Sequence, residues 1–248
     1  MGIIEQQAVL QAKGPRRVSP HFIPRIMANA VPGQVAIRHG LLGTAFTTTS
    51  ACASAGHAIG MAWRSIQWDD ADVVVTGGSE SAVTPLSMAG FSSARALSKR
   101  NDDPTAASRP FDKDRDGFVM GEGCGMLVLE ELEHARARGA KIYAEVKGYG
   151  STDDAYHITA PREDGRGPAR AYAEALRHAG VQPEDVQYVN AHGTSTAFND
   201  SIETTSLKRV FGDHAYKLAV SSTKSMIGHL LGAASAVELV YTALAVHT

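Results

Sequence analysis

The sequence predicts an α/β layered fold. Short apolar or alternating runs recur between segments of helical character, and glycines gather in the turns that join them. The balance of 44% hydrophobic and 20% charged residues over 248 positions is that of a globular chain able to bury a large core. No tandem repeat or low-complexity linker divides it, so it suits one domain or two halves that share a core.

The elements follow in order. Residues 1–11 read as a helix, stopped by Gly14-Pro15, and 29–38 as a second. A β-branched run at 45–50 leads into a helix of small residues over 52–66. Residues 72–76 form a short apolar strand closed by Gly77-Gly78, and 125–129 another, followed by a charged helix at 130–138. Residues 142–148 alternate as a strand does. An amphipathic helix spans 167–179 and ends at Gly180. A strand at 186–190, a helix at 200–210, a strand at 218–221 and a helix at 232–246 complete the pattern. The polar, proline-bearing stretch 100–117 reads as a long loop.

Several function classes drop out. A net charge of −2 supplies no global basic field for nucleic acid. The first twelve residues lack the basic-then-apolar order of a signal peptide. The most apolar stretch, 230–246, is interrupted by Glu238 and preceded by His229, which argues against a membrane span. Two cysteines, Cys52 and Cys124, make no disulfide framework; reduced thiols in a cytoplasmic protein are the better reading. Asp112-Lys113-Asp114-Arg115-Asp116-Gly117 begins like a calcium loop, but its twelfth position is Gly123, Glu122 comes one residue early, and Pro110 opposes a helix leading into it. Gly121, Gly123 and Gly125 lack the strand-turn-helix setting of a nucleotide loop.

Three residues carry candidate chemistry. Cys52 falls where a β-branched run becomes a helix. Free N–H groups and the helix dipole there favour an anion, which predicts a depressed thiol pKa and a nucleophile. A buried, inert cysteine fits the same segment. His57, just over one turn on, reads as a packed histidine rather than a partner. His192 sits in a Gly/Thr/Ser loop after one strand; His229 follows another strand and Lys224, and enters a helix, with Glu238 nine residues further on. Each histidine alone is compatible with a structural role. Together with Cys52 they form a Cys/His/His set at strand ends, where α/β enzymes place their sites. The spacing is not that of a zinc site.

At these residues the chain resembles the elongating β-ketoacyl-acyl-carrier-protein synthases of type II fatty-acid synthesis, of the synthase II kind. The matching segments are Ser50-Ala51-Cys52-Ala53-Ser54, Asn190-Ala191-His192-Gly193-Thr194-Ser195-Thr196 and Lys224-Ser225-Met226-Ile227-Gly228-His229. They are joined by Gly90-Phe91, Arg95-Ala96-Leu97-Ser98 and Ser108-Arg109-Pro110-Phe111-Asp112, and the likeness runs in order over essentially the whole chain.

The resemblance implies a thiolase-like αβαβα layered fold, incomplete at both ends. About 1–140 would be the remainder of a first half holding the nucleophile, and about 141–248 part of a second half holding both histidines. It implies decarboxylative Claisen condensation of acyl- with malonyl-carrier protein, with Cys52 as acyl acceptor and His192 and His229 assisting decarboxylation and holding the enolate oxygen. Lys224 and Glu238 would be a supporting charged pair; Thr194, Thr196 and Thr159 would meet the phosphopantetheine arm, and Phe91 would wall the acyl pocket. Arg16, Arg17 and Arg95 would meet an acidic acyl carrier protein. Plainer roles fit the same residues: loop hydroxyls, a core phenylalanine, a structural ion pair, solvated arginines. No cofactor or metal is implied beyond the carrier's own phosphopantetheine, and the longer protein would be a homodimer of the cytoplasm. The family's Gly-Phe-Gly-Gly-type loop, which completes the oxyanion hole, does not occur in this sequence. An inactive or poorly folded fragment of such an enzyme is therefore one expectation. A polyketide ketosynthase is another, although Asn-Ala-His at 190–192 and Lys-Ser-Met at 224–226 favour fatty-acid synthesis. A chain-length factor would lack Cys52, and a degradative thiolase would need a second catalytic cysteine for which Cys124 is not placed.

Overall fold

The computed structural model describes residues 2–247. The chain divides into two compact units, with the break between Thr48 and Thr49.

The first unit is helical: α1 (Ile3–Lys13), a 3-10 turn (Pro15–Arg17), α2 (Phe22–Ile26) and α3 (Ala30–His39). The Glu5 carboxylate accepts the Gly2 N–H at 3.0 Å and caps α1, and Gly14 at φ 78 ends it. Buried Gln6 accepts the Ser19 N–H at 2.7 Å and ties the return loop to α1. The β-branched run at 45–50 forms no ladder among the described residues. β-propensity reflects packing on a neighbouring strand, and this run has none there.

The second unit holds α4 (Ser54–Gln67), β1 (Val73–Glu80), α5 (Pro85–Ser93), β2 (Gly123–Glu130), α6 (Leu132–Ala137), α7 (Arg166–Ala179), β3 (Tyr188–Asn190), α8 (Ala197–Phe211), β4 (Ala219–Ser221), α9 (Lys224–Ile227) and α10 (Ala234–His247). β1 and β2 pair antiparallel from Val73↔Glu130 to Glu80↔Gly123, so Gly77 and Gly78 continue the strand they were expected to close. β3 and β4 pair in parallel from Tyr188↔Ala219 to Asn190↔Ser221. The alternating segment 142–148 carries no ladder among the described residues. The carbonyl of its Val146 accepts the Trp63 indole N–H at 3.0 Å, so this polar group is satisfied from α4 instead. α5 goes beyond the sequence expectation, although its signal is present: the Thr84 hydroxyl caps the Ser87 N–H and Pro85 occupies the first helical turn.

One face of β1–β2 is the core. Leu127 and Leu129 pack with buried Ala55 and Ile59 of α4 and Ala236 of α10. Truncating a residue such as Ile59 to alanine costs about 2–5 kcal/mol. The helices come close because small residues face the sheet. A Cβ at Gly125 would lie 2.6 Å from the Val237 nitrogen, so α10 rests directly on the β2 backbone. α4 and α10 begin in the same way. A non-glycine residue at positive φ, Ala51 (φ 49) or Leu231 (φ 47), opens a 3-10 turn that runs straight into the helix. The two turns pack against each other, with Cys52 in the first and His229 just before the second.

Candidate active site

Cys52 is the middle residue of the 3-10 turn Ala51–Ala53. The left-handed conformation of Ala51 costs a Cβ-bearing residue about 1–2 kcal/mol. Strain of that kind persists only where the surroundings over-determine it. The turn carries the Cys52 Sγ to 2.9 Å from the His229 Nε2.

His229 is not in a helix, as its sequence suggested. It lies between α9 and the second 3-10 turn, in a parallel bridge to Met120. Its N–H donates to the Val119 carbonyl at 2.7 Å, and its own carbonyl accepts the Gly121 N–H at 2.9 Å. Gly228 makes this approach possible: it has φ 72, and a Cβ there would lie 2.8 Å from the Val119 oxygen. The Phe118 ring meets the imidazole edge-on at 5.3 Å, and Phe91 meets Phe118 at 5.2 Å.

His192 follows β3 by two residues. Its loop is held by Glu203 of α8, whose two carboxylate oxygens accept the N–H groups of His192 at 2.7 Å and Gly193 at 2.8 Å. The imidazoles of His192 and His229 stand 5.3 Å apart and nearly perpendicular, at 86°. Lys224, 1% exposed, donates to the His192 carbonyl at 2.7 Å, lies 3.3 Å from His192 Nδ1, and pairs with Glu238 of α10.

These contacts fix both tautomers. An ammonium has no lone pair to offer, so His192 Nδ1 accepts from Lys224. His229 Nδ1 accepts the Leu231 N–H at 3.2 Å. In each neutral ring the proton therefore sits on Nε2. Both rings stay neutral: burial, then the Lys224 charge, holds His192 well below the ordinary imidazole range and pushes His229 down to about 3. Burial also pushes the Cys52 thiol up, against the pull of Lys224. The depressed thiol expected from a helix N-terminus is thus corrected, because desolvation outweighs the Lys224 cation and the backbone donor. Burial likewise raises the Glu238 and Glu203 carboxyls, opposed by Lys224 and by backbone donors respectively.

Cys52, His192 and His229 place three potential ligand atoms within 4.8 Å of one another. A metal would need the Nε2 lone pairs, and the donors on both Nδ1 atoms keep protons there. The set is built to donate hydrogen bonds rather than to coordinate.

The remaining expected residues divide. Thr194 is buried, with its hydroxyl 2.9 Å from that of Thr196 in the His192 loop. Phe91 reaches His229 through Phe118. Thr159 is exposed, its N–H donating to His157 Nδ1 at 3.2 Å, and among the described residues it bonds to neither threonine. Arg16 and Arg17 are exposed in the first unit; Arg95, at φ 56, is exposed after α5 in the second.

Sequence reading missed Glu203 and the work of the loop before β2. Phe111 N–H donates to buried Asp200 at 2.7 Å, Arg115 donates to the Thr196 and Ala197 carbonyls at 2.9 and 2.7 Å, and Gly117 N–H donates to the Ser195 carbonyl at 3.0 Å. The calcium-like stretch is therefore a clamp on the His192 loop. Asp116, its last acid, is spent on Ser98, Lys99 and Arg109.

A shielded thiol grouped with two neutral imidazoles is an arrangement suited to covalent chemistry at a carbonyl. Family comparison agrees: residues 1–135 match the N-terminal and 143–248 the C-terminal domain of β-ketoacyl synthases. The chain belongs to the β-ketoacyl synthase family. It is 59% identical over 242 residues to 3-oxoacyl-[acyl-carrier-protein] synthase 2 of Synechocystis, covering 98% of this chain and 58% of the relative. It is 57% identical to the synthase 2 of Rhizobium meliloti, covering 99% and 58%. A mitochondrial synthase of Arabidopsis thaliana is 53% identical, covering 99% and 54%. Among solved structures, a type II polyketide ketosynthase in complex with its acyl-carrier protein superimposes with a TM-score of 0.92 at 38% identity, covering 97% of this chain and 61% of that one. A β-ketoacyl synthase from Burkholderia phymatum gives 0.88 at 38% identity, covering 97% and 58%. The fold is the thiolase-like fold of these ketosynthases, and the chain spans a little under three fifths of the length of these synthase 2 relatives.

Proposed function

We propose that the protein carrying this chain condenses an acyl group with a malonyl unit, both delivered as carrier thioesters, in fatty-acid elongation. The observation that supports this most is the grouping of Cys52 Sγ with His229 Nε2 at 2.9 Å and with a ring nitrogen of His192, all within 4.8 Å of one another. The Cys52 thiol adds to the acyl thioester carbonyl, and the bond from that carbonyl to the carrier sulfur breaks. The thiol proton leaves with the carrier, so the exchange is proton-neutral. His229, with its proton on Nε2, donates to the sulfur and stabilises the thiolate as attack begins; its Nδ1 is engaged by Leu231, which suits a donor rather than a base. In the second half-reaction the malonyl carboxylate leaves as carbon dioxide, and its electron pair moves into an enolate. The enolate oxygen takes the two Nε2–H groups, and its carbon attacks the acyl-Cys52 carbonyl. The C–S bond breaks and the released Cys52 thiolate takes a proton from solvent.

Thr194 and Thr196, with Thr159, are proposed to meet the phosphopantetheine arm, and Phe91 to wall the acyl chain through Phe118. Lys224 and Glu238 hold His192 and its tautomer. The proposed partner is an acyl carrier protein, met by Arg16, Arg17 and Arg95. Homodimer formation and a cytoplasmic setting belong to the same proposal. No described helix is long and apolar enough to cross a membrane. The stronger identity to synthase 2 proteins, 59% against 38% for the polyketide ketosynthase, favours fatty-acid elongation over polyketide assembly.

The test is carbon dioxide release from malonyl carrier protein with acyl carrier protein present. We expect 3-oxoacyl product, abolished by C52A and lowered about 10²–10³-fold by H192A or H229A, the usual cost of one such donor. Full turnover by C52A would refute the proposal.

A further inference from the structure

His57 is the one histidine near the nucleophile that the chemistry above leaves unused. It lies in the first turn of α4, with each ring nitrogen engaged by a hydroxyl. Nδ1 is 2.6 Å from Ser50 Oγ, and Nε2 is 3.1 Å from Ser151 Oγ. Ser50 begins the strained turn, with φ −155 and ψ 49, immediately before Ala51 at φ 49. Three bonds close that turn on itself: Ser50 N–H to Ser54 Oγ at 2.8 Å, Ser54 Oγ–H to the Ala51 carbonyl at 2.8 Å, and Ala53 N–H to the Ser50 carbonyl at 3.1 Å. All three lie within five consecutive residues, so the turn and its strain could shift together without breaking them. Two ties leave the turn: a long one from the Ser235 hydroxyl of α10 to the Cys52 carbonyl at 3.5 Å, and the shorter Ser50–His57–Ser151 link. Ser151 is anchored in its own right, its N–H donating to the Glu174 carboxylate of α7 at 3.2 Å.

We propose that His57 is a positioning residue. It fastens the Ser50 hydroxyl to Ser151, so that the Ala51–Ala53 turn holds the Cys52 sulfur at His229 Nε2. It touches neither substrate nor Cys52 and acts only through Ser50. A neutral ring satisfies both contacts, because one nitrogen donates while the other accepts and each hydroxyl can do either. A helix residue this close to the nucleophile therefore contributes rigidity, not proton transfer. The role rests on the condensation reading only in making Cys52 the reactive group; the geometry of the link does not depend on it.

The experiment separates the two. The alkylation rate of Cys52 by iodoacetamide at pH 8, read by peptide mass spectrometry, reports presentation of the sulfur whether or not the protein condenses thioesters. Cys124 in the same sample is the internal reference. Wherever turnover is measured, kcat and KM are read alongside it. For H57A we expect Cys52 alkylation to change at least 5-fold relative to Cys124, and kcat to fall about tenfold with KM unchanged. H57N places an amide where Nδ1 stood and regains the Ser50 contact, so it restores more than half of the loss. S50A, which removes one oxygen and little volume, reproduces H57A and serves if H57A fails to fold. The inference is overturned if S50A and H57A alkylate at the parent rate. It is equally overturned if H57N is no better than H57A and both lower thermal stability alike, since His57 would then be packing alone. Unchanged alkylation ratios in a protein that does not condense thioesters overturn it too; altered ratios in such a protein sink the condensation reading and leave the positioning role standing.

Discussion

Cys52 is pulled two ways. Burial raises its thiol above the ordinary value of 9.0 while Lys224 lowers it, and burial is the larger influence. The resting site therefore holds a thiol. It follows that Cys52 alkylation keeps rising with pH and does not level off by pH 9; a plateau with a midpoint near 7 would contradict this. The histidines give the opposite limb. His229 takes up a proton only near pH 3, and His192 also stays neutral well below 6.5. Lowering the pH from 8 to 6 therefore leaves both Nε2–H donors intact. Decarboxylation measured over that range should show no acid limb centred on 6.5. Such a limb would mean that one ring titrates normally and is not held as the structure holds it. Lys224 fixes one of these tautomers and neutralises Glu238, so K224A leaves a buried carboxylate unpaired. A loss of about 3–5 kcal/mol in unfolding free energy is expected, read by urea titration; an unchanged midpoint would show the pair to be dispensable. The three candidate residues Cys52, His192 and His229 could be picked out because each sits beside a glycine, a hydroxyl run or a strand end, and the fold brings them together. The direction of the Cys52 shift was not, because desolvation belongs to the fold and not to the segment.

Elements position the site through contacts that leave little trace in local sequence. Glu203 lies eleven residues past His192, in a helix whose acids look like a solvated face. It nevertheless satisfies two backbone N–H groups of the His192 loop. E203A should cost about 1–3 kcal/mol for each donor left buried and unpaired, and E203Q less, by the same titration. Equal stability of all three proteins would mean that water replaces the carboxylate without loss. The glycine before His229 is a similar case. G228A puts a Cβ 2.8 Å from the Val119 oxygen at a φ of 72, so His229 must leave its bridge to Met120. Cys52 alkylation then loses its dependence on His229, which H229A in the same background would show as no further change. Most helices were readable from caps and periodicity: α7 ends at Gly180, the residue expected to stop it, which adopts the left-handed conformation. The alternating run at 142–148 misled, because alternation marks an extended segment but does not supply a partner strand. The loop at 100–117 was read as a loop and is one, apart from a 3-10 turn at Pro104–Ala106. Its role as a clamp depends on contacts some eighty residues away in sequence, which no local pattern encodes.

At the scale of the molecule, the β1–β2 sheet is covered on one side only among the described residues. Val73, Val75, Met126 and Val128 point the other way and are 38–60% exposed. An apolar face of this kind is buried by association or by further chain. This chain by itself should bind a hydrophobic dye and associate with rising concentration in sedimentation, and V75K/V128K should reduce both. A dye-silent monomer at high concentration would show that the face is tolerated by solvent. The broad α/β class was visible in the succession of elements, and the thiolase-like assignment in the order of the three motifs. Neither the antiparallel pairing of β1 with β2 nor the matched turns that open α4 and α10 were, since both arise from packing across long sequence separation.

The most direct measurement is the intact mass of the protein after exposure to an acyl carrier thioester. The mass should rise by one acyl group, map to Cys52, and fall back on addition of malonyl carrier thioester only when His192 and His229 are both present. An acyl group found on Cys124, or none at all, would contradict the assignment of Cys52 as the acyl-carrying nucleophile.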